Sequence, residues 1–263
     1  MKFQKKVLLM GGIGNKLFQL ARAVELQEKN IIVELVYIDP KMTKFYKLSG
    51  HTIHPEWIDI PFLSGIFNIH IRPITFIEFI QLVIKFFTKK VGLSDDFNIN
   101  LYDVLEKRGE ISWDVGYFQS KNHLSLSTLN KVADELIKIL NIKKKNSKEL
   151  TLHIRGGDFD TKNRIQKKQM EAIILLCQSL MLNLIVVTND NVFSKKLLGE
   201  TLYKFYKGKS AYDDFIKLAS SSNLYLSNST FAFWAAMIAI RSHSAKIYLP
   251  NNWPYSDFIK ESE

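Results

Sequence analysis

A single cysteine, Cys177, stands among 263 residues, so no disulfide can form within the chain and a reducing compartment is permitted. Proline and glycine are sparse, at six and twelve, which leaves no room for a long low-complexity linker or a fibrous repeat. No apolar run approaches the ~20 residues of a membrane-spanning helix. Only Val7 to Met10 separate Lys5-Lys6 from the first glycines, too short a core for a signal peptide. A Gly-x-Ser-x-Gly elbow is missing, which counts against a serine hydrolase. His51 and His54 lack a further Cys, Asp or His at a zinc-like spacing. Cys177 lies among Leu175, Leu176 and Leu180, the setting of a core side chain rather than a nucleophile. The expectation is a folded, soluble protein of the cytoplasm.

What is present is globular and basic. Hydrophobic residues make up 46% and charged residues 24%, too apolar for disorder. Lys and Arg number 36 against 26 Asp and Glu, a formal net charge of +10. The excess is spread, +6 over residues 1–145 and +4 over 146–263. Such a field favours an anionic partner: a nucleotide, a nucleic acid or a membrane face. Without a concentrated basic stripe, nucleic acid is the least favoured of these, and no nucleic-acid partner is expected.

Residues 5–10 read as a short buried strand that runs into Gly11-Gly12-Ile13-Gly14-Asn15. Leu17, Leu20, Ala21 and Val24 then recur at helical spacing, and Ile31 to Ile38 is a second strand closed by Asp39-Pro40. This is a βαβ opening. Residues 41–70 show no clear period, 73–90 look helical, and 128–140 form a good amphipathic helix. The like-charged stretch 143–148 is the best linker candidate. Beyond it come strand 149–154, helix 165–181, strand 184–188, one or two helices across 192–220, strand 224–227, helix 229–241 and strand 245–249. The pattern predicts two Rossmann-like α/β lobes, 1–145 and 146–263, facing a cleft.

Ligands of open α/β sheets bind at the carboxyl ends of the strands. There the second lobe places Arg155-Gly156-Gly157-Asp158, Asn189-Asp190 and Ser227-Asn228-Ser229-Thr230. The last segment opens an apolar helix, where hydroxyls and free N–H groups suit a pyrophosphate, although an ordinary N-cap reads the same way. Asp158-Phe159-Asp160 is a triplet able to hold a divalent metal or simply to face solvent. Gly12-x-Gly14 after a strand, with Asp39 after the next, suggests either a dinucleotide site or a tight turn. Trp113 and Tyr117 are a sugar-stacking wall or plain core. Residues 74–90 lie on an anionic membrane surface or form a core helix.

Five segments in order resemble the bacterial and animal α-1,2-fucosyltransferases, glycosyltransferase family 11. These are Gly11-Gly12-Ile13-Gly14-Asn15-Lys16-Leu17-Phe18-Gln19, then Gly116-Tyr117-Phe118-Gln119-Ser120, then His153-Ile154-Arg155-Gly156-Gly157-Asp158-Phe159. The last two are Val187-Thr188-Asn189-Asp190, and Ser227-Asn228-Ser229-Thr230-Phe231 with Trp234-Ala235-Ala236. The resemblance spans residues 11 to about 253. Two positions depart from it: Gly156 stands where the family carries a second arginine, and Lys16 where it carries a glutamine.

The resemblance implies a GT-B-type, inverting transferase that moves L-fucose from GDP-β-L-fucose to a galactoside hydroxyl without a metal or other cofactor. It implies catalytic roles for Arg155, which neutralises the leaving diphosphate, and for Asn15, which faces the reacting sugar. His153, Asp158, Asp190, Ser227, Asn228, Ser229, Thr230, Gly12 and Gly14 are the implied donor-binding residues. Gln19, Trp113 and Tyr117 are candidates on the acceptor side. Asp39, Glu56 and Asp114 are candidate general bases, none singled out. The acceptor would be a galactose-containing glycan or a lipid-linked oligosaccharide of bacterial surface polysaccharide assembly. That places the protein in the cytoplasm or on the inner membrane face. Another GDP-deoxysugar such as colitose is the alternative donor, and an NAD-dependent oxidoreductase the alternative enzyme.

Overall fold

The computed structural model describes residues 4–38, 65–80, 82, 112–144, 147–156, 165, 167–250, 253 and 255–262. Asp39, His51, His54, Glu56, Gly157, Asp158 and Asp160 lie outside them, as do residues 81 and 83–90 of the expected helix and residues 145–146 of the expected linker. The chain divides into two compact units, Met1–Leu129 and Asn130–Glu263. The division falls inside one helix, Leu126–Leu140, ahead of the like-charged stretch.

In the first unit β1 (Gln4–Leu9) leads through Gly11 and Gly12 into α1 (Ile13–Glu28), followed by β2 (Ile32–Tyr37), β3 (His70–Pro73) and β4 (Ser112–Asp114). All pairings are parallel, in the order β3-β2-β1-β4. Gly11 has φ +76°, and a Cβ there would lie 2.5 Å from Asn15 Nδ2. Only glycine fits such a turn. α1 packs on β1 and β2, burying Leu17, Leu20, Ala21 and Val24, the residues its periodicity marks. A separate cluster of Leu8, Val36, Ile38, Ile74, Phe79, Leu82, Trp113 and Val115 is also buried. Residues 76–80 are helical. A capping box starts them: the Glu78 N–H donates to Thr75 Oγ1 at 3.3 Å and the Thr75 N–H to Glu78 Oε2 at 2.8 Å.

The second unit opens with most of α2 (Leu126–Leu140). It continues with β5 (Glu149–Ile154), α3 (Lys167–Ser179), β6 (Asn183–Thr188), α4 (Asn191–Leu198) and β7 (Lys204–Phe205). α5 (Ala211–Ala219), β8 (Asn223–Tyr225), α6 (Thr230–His243), β9 (Lys246–Tyr248) and α7 (Ser256–Lys260) complete it. Its sheet is parallel, in the order β7-β6-β5-β8-β9. Leu150, Leu152 and Ile154 pack with Met170, Ile173 and Cys177 of α3. Residues 232–240 of α6 are all buried, as their unbroken apolar run requires. Among the described residues no helix is long and apolar enough to cross a membrane.

Both sheets have the doubly wound arrangement. Each begins in the middle, grows to one side, then crosses to the other. The order therefore reverses between β1 and β4 in one unit and between β5 and β8 in the other, and such switch points are where ligands of open α/β sheets lie.

Candidate functional site

Alternation along β5 decides which side chains reach its ligand side. Leu150, Leu152 and Ile154 enter the α3 cluster, so Thr151 and His153 project to the opposite face. His153 is 5% exposed. Its Nδ1 lies 2.7 Å from the Ser227 hydroxyl, and its ring stacks on Phe231 at 5.6 Å and 30°. Burial, and then the nearby Arg155 guanidinium, lower its pKa to about 3, so the imidazole is neutral near pH 7. Next to it the Gly156 N–H donates to Asn189 Oδ1 at 2.9 Å, and a Cβ on Gly156 would lie 2.6 Å from Asp190 Cβ. The carboxyl ends of β5 and β6 are thus closed against each other.

Two helices begin on this rim, with different starts. Asp190 caps α4, its Oδ1 accepting the Phe193 N–H at 2.9 Å. Ser229 holds the N-cap position of α6 in extended conformation, yet its side chain makes no capping bond. The uncapped start is the better anion site, since its first N–H groups are not taken by the cap side chain. Asn228, Ser229 and Thr230 are half-buried there. Ser227 is not presented with them: it is 1% exposed and turned to His153.

At the first unit's switch point, the glycine loop and the segment after β4 meet. Gln119 Nε2 donates to Asn15 Oδ1 at 3.0 Å. Gln19 is completely buried; its Oε1 accepts the Met10 N–H at 2.8 Å and its Nε2 donates to the Gly116 carbonyl at 3.0 Å. Its amide ties β1 to β4 and leaves no side for an acceptor sugar. Trp113 is likewise interior, in the Leu8–Val36 cluster with Lys6 Nζ 5.6 Å from its ring centre. Of the two proposed wall aromatics only Tyr117 is half-exposed, its phenol pKa raised by burial. Asp114 is buried and bonded to Arg22 Nε at 2.9 Å, a structural placement rather than that of a base facing substrate. Lys16 is buried on the first turn of α1. Among the described residues no group of three or more His, Cys, Asp or Glu is placed to hold a metal.

Residues 112–263 match the family described as Glycosyl transferase family 11. The chain belongs to glycosyl transferase family 11. The match takes in four of the five resembling blocks; the glycine loop at 11–19 precedes it. No curated protein sequence matches this family 11 chain. Solved structures similar to it include POFUT1 in complex with GDP, at 10% identity over 94% of this chain and 98% of that one, with a TM-score of 0.44. E. coli heptosyltransferase WaaC with ADP is similar at 10% identity over 99% and 100%, TM-score 0.44. NodZ alpha-1,6-fucosyltransferase co-crystallized with GDP follows at 11% over 90% and 93%, TM-score 0.42.

In the family 11 chain the second unit's rim gathers His153, Arg155, Asp190, Ser229 and Thr230, as their strand ends indicate. Gly12 lies on the other unit's loop, where a Cβ would meet nothing within 4 Å, and Gly14 is buried in the first turn of α1. Sequence reasoning overlooked Arg22, Gln119 as the partner of Asn15, and Ser227 as the partner of His153. Their signal was spatial, since each pairs across 74 to 104 residues.

Proposed function

We propose that this family 11 member is an inverting fucosyltransferase that moves L-fucose from GDP-β-L-fucose to a galactoside hydroxyl, forming an α-1,2 linkage. The observation that carries the reading is the grouping at the β5–β8 switch point of Arg155, a neutral His153 and the uncapped, hydroxyl-flanked start of α6. The acceptor hydroxyl oxygen attacks C1 as the C1–O bond to the β-phosphate breaks, and its proton passes to a base, for which Asp39 and Glu56 remain the candidates. The pair of electrons from that bond stays on the diphosphate. Arg155, the Ser229 and Thr230 hydroxyls and the first N–H groups of α6 offset that charge, which is why no metal is required. Asp190, which caps α4 on the same rim, is the residue assigned to the nucleoside. On the first unit, Asn15 addresses the reacting sugar and Tyr117 the acceptor.

The setting proposed is bacterial surface polysaccharide assembly, O-antigen or lipopolysaccharide, with a galactose-containing or lipid-linked oligosaccharide as acceptor. Exposed Phe76, Ile77 and Ile80 on the helical turn 76–80 support peripheral contact with the inner membrane face, beside the buried Phe79 and Leu82. Membership of a glycosyl transferase family displaces the oxidoreductase alternative. The test is GDP release from GDP-fucose with and without β-galactosides, in EDTA. Acceptor-dependent, EDTA-resistant release supports the reading, and Arg155→Ala should lower it about a hundredfold. GDP binding without release would move the donor to another GDP-deoxysugar such as colitose. No GDP binding overturns the reading.

A further inference from the structure

The Ser227 hydroxyl and His153 Nδ1 meet at 2.7 Å where β8 and β5 lie side by side, and both residues are buried. Among the described residues Ser227 has no second hydrogen-bond partner. A hydroxyl has one proton to donate and two lone pairs with which to accept. If Nδ1 carried the ring proton and donated it to Ser227, the serine proton would be buried without an acceptor. If Ser227 donates to Nδ1, the serine proton is satisfied and the remaining donor is Nε2–H, which is not among the buried atoms without a partner and so is open to solvent or ligand. A buried unsatisfied donor is the costlier defect, by about tenfold or more in population.

Two observations hold the imidazole in this state. Phe231 covers one ring face, so the ring cannot exchange its two nitrogens without displacing an aromatic neighbour. Burial and the Arg155 guanidinium keep the ring neutral, so one nitrogen carries a proton and the other does not. With Nδ1 accepting, the proton sits on Nε2, the ring's remaining polar atom.

We propose that Ser227 is a positioning residue that fixes His153 as the Nε2–H tautomer, making the histidine a neutral N–H donor for an acceptor-only oxygen of the bound nucleotide. The ligand half of this inference rests on the donor reading above; the tautomer half does not. The opposite tautomer would turn a lone pair toward a phosphate or ribose ring oxygen, neither of which has a proton to donate, and repel it. A neutral donor also complements Arg155, which supplies the charge. Ser227 thereby acts through His153, without touching the donor.

The test combines long-range 1H–15N spectra of the full-length chain with GDP titration by calorimetry. His153 is assigned among the six histidines by loss of its signals in His153→Asn. The wild type should show a pyrrole-type Nε2 and a pyridine-type Nδ1. In Ser227→Ala the signals should move toward a mixture of tautomers, and the Kd for GDP should rise about tenfold. Ser227→Thr, which keeps the hydroxyl, should restore both. A wild-type ring protonated on Nδ1 overturns the proposal whether or not the variants fold. So does a folded Ser227→Ala that keeps the Nε2–H pattern and wild-type GDP affinity. A wild type with the expected tautomer but no affinity for GDP upholds the positioning role and overturns the nucleotide-donor reading instead.

Discussion

Gly156 and Asp190 occupy one space: a Cβ built on the glycine would lie 2.6 Å from the Cβ of the aspartate. The atom in the way is next to the backbone of a residue that caps α4, so it has little freedom to yield. The glycine that replaces the second arginine of the family signature therefore goes with a tight closure of β5 on β6. Gly156→Arg should cost about 1–3 kcal/mol from overpacking, read as a lower midpoint in urea. It should not raise transfer activity. Asp190→Gly in the same chain should recover part of the loss, and the double-mutant cycle should show coupling of about 0.5 kcal/mol or more.

Gln19 predicts a larger effect, on stability rather than on acceptor binding. Its buried amide satisfies the Met10 N–H and the Gly116 carbonyl together. Gln19→Leu matches it in bulk but leaves two backbone groups without partners. At about 1–3 kcal/mol for each unsatisfied group, the first unit should lose about 2–4 kcal/mol on chemical denaturation. Gln19→Glu should lose less at low pH, where a protonated carboxyl again offers both a donor and an acceptor.

The regular elements were readable because their periods are long. β5 runs over residues 149–154 as expected, and α6 starts within one residue of the position its apolar pattern indicates, whereas α1 starts at Ile13, four residues ahead of Leu17, the first of its periodic residues. β3, β4, β7 and α7 are two to five residues long and carry too little pattern to rise above a loop. The site divides in the same way. Arg155 follows β5 directly, and Ser229 and Thr230 open the helix after β8, so chain order alone puts them on the rim. Gln19, Trp113, Asp114 and Ser227 look chemically active in one dimension. Their use as braces depends on partners brought together by folding, such as Gly116 for Gln19 and Arg22 for Asp114.

Acid should unfold the chain in two overlapping steps. His153 has its pKa depressed from 6.5 to about 3, so the unfolded chain takes up a proton that the folded one refuses, and stability falls between those values. For Glu25, burial would raise the pKa, but hydrogen bonds from Thr128, Ser125 and Lys29 outweigh it and lower it from 4.5 to about 2. Its contribution is complete above pH 4.5 and is lost as pH falls toward 2. Each group steepens the decline by up to about 1.4 kcal/mol per pH unit within its window. Urea titrations from pH 7 to 3 should show this fall, flatter above pH 4.5 in His153→Gln and flatter below it in Glu25→Gln. A stability that stays level from pH 7 to 4 would contradict the buried, neutral histidine.

Asp114 supplies the sharpest contrast between a structural and a chemical role. Arg22 donates from Nε to its carboxylate at 2.9 Å and from Nη1 to the His123 carbonyl at 2.9 Å, while the guanidinium carbon stands 5.6 Å from the centre of the Phe118 ring. Phe118 is buried at φ +51°, a left-handed conformation that a bulky side chain keeps only when its surroundings enforce it. The Arg22–Asp114 pair is part of that enforcement, and it holds the segment that delivers Gln119 to Asn15. Asp114→Asn would remove the charge facing a largely buried guanidinium, so about 3 kcal/mol of stability should go with it. A general base behaves otherwise: its amide variant would keep the melting temperature and lose kcat by orders of magnitude. The geometry predicts the first pattern, with the melting temperature down by several degrees and kcat of the folded fraction changed only a few-fold. The same pattern should appear in Arg22→Lys, which keeps the charge but loses the planar fork that joins Asp114 to the His123 carbonyl.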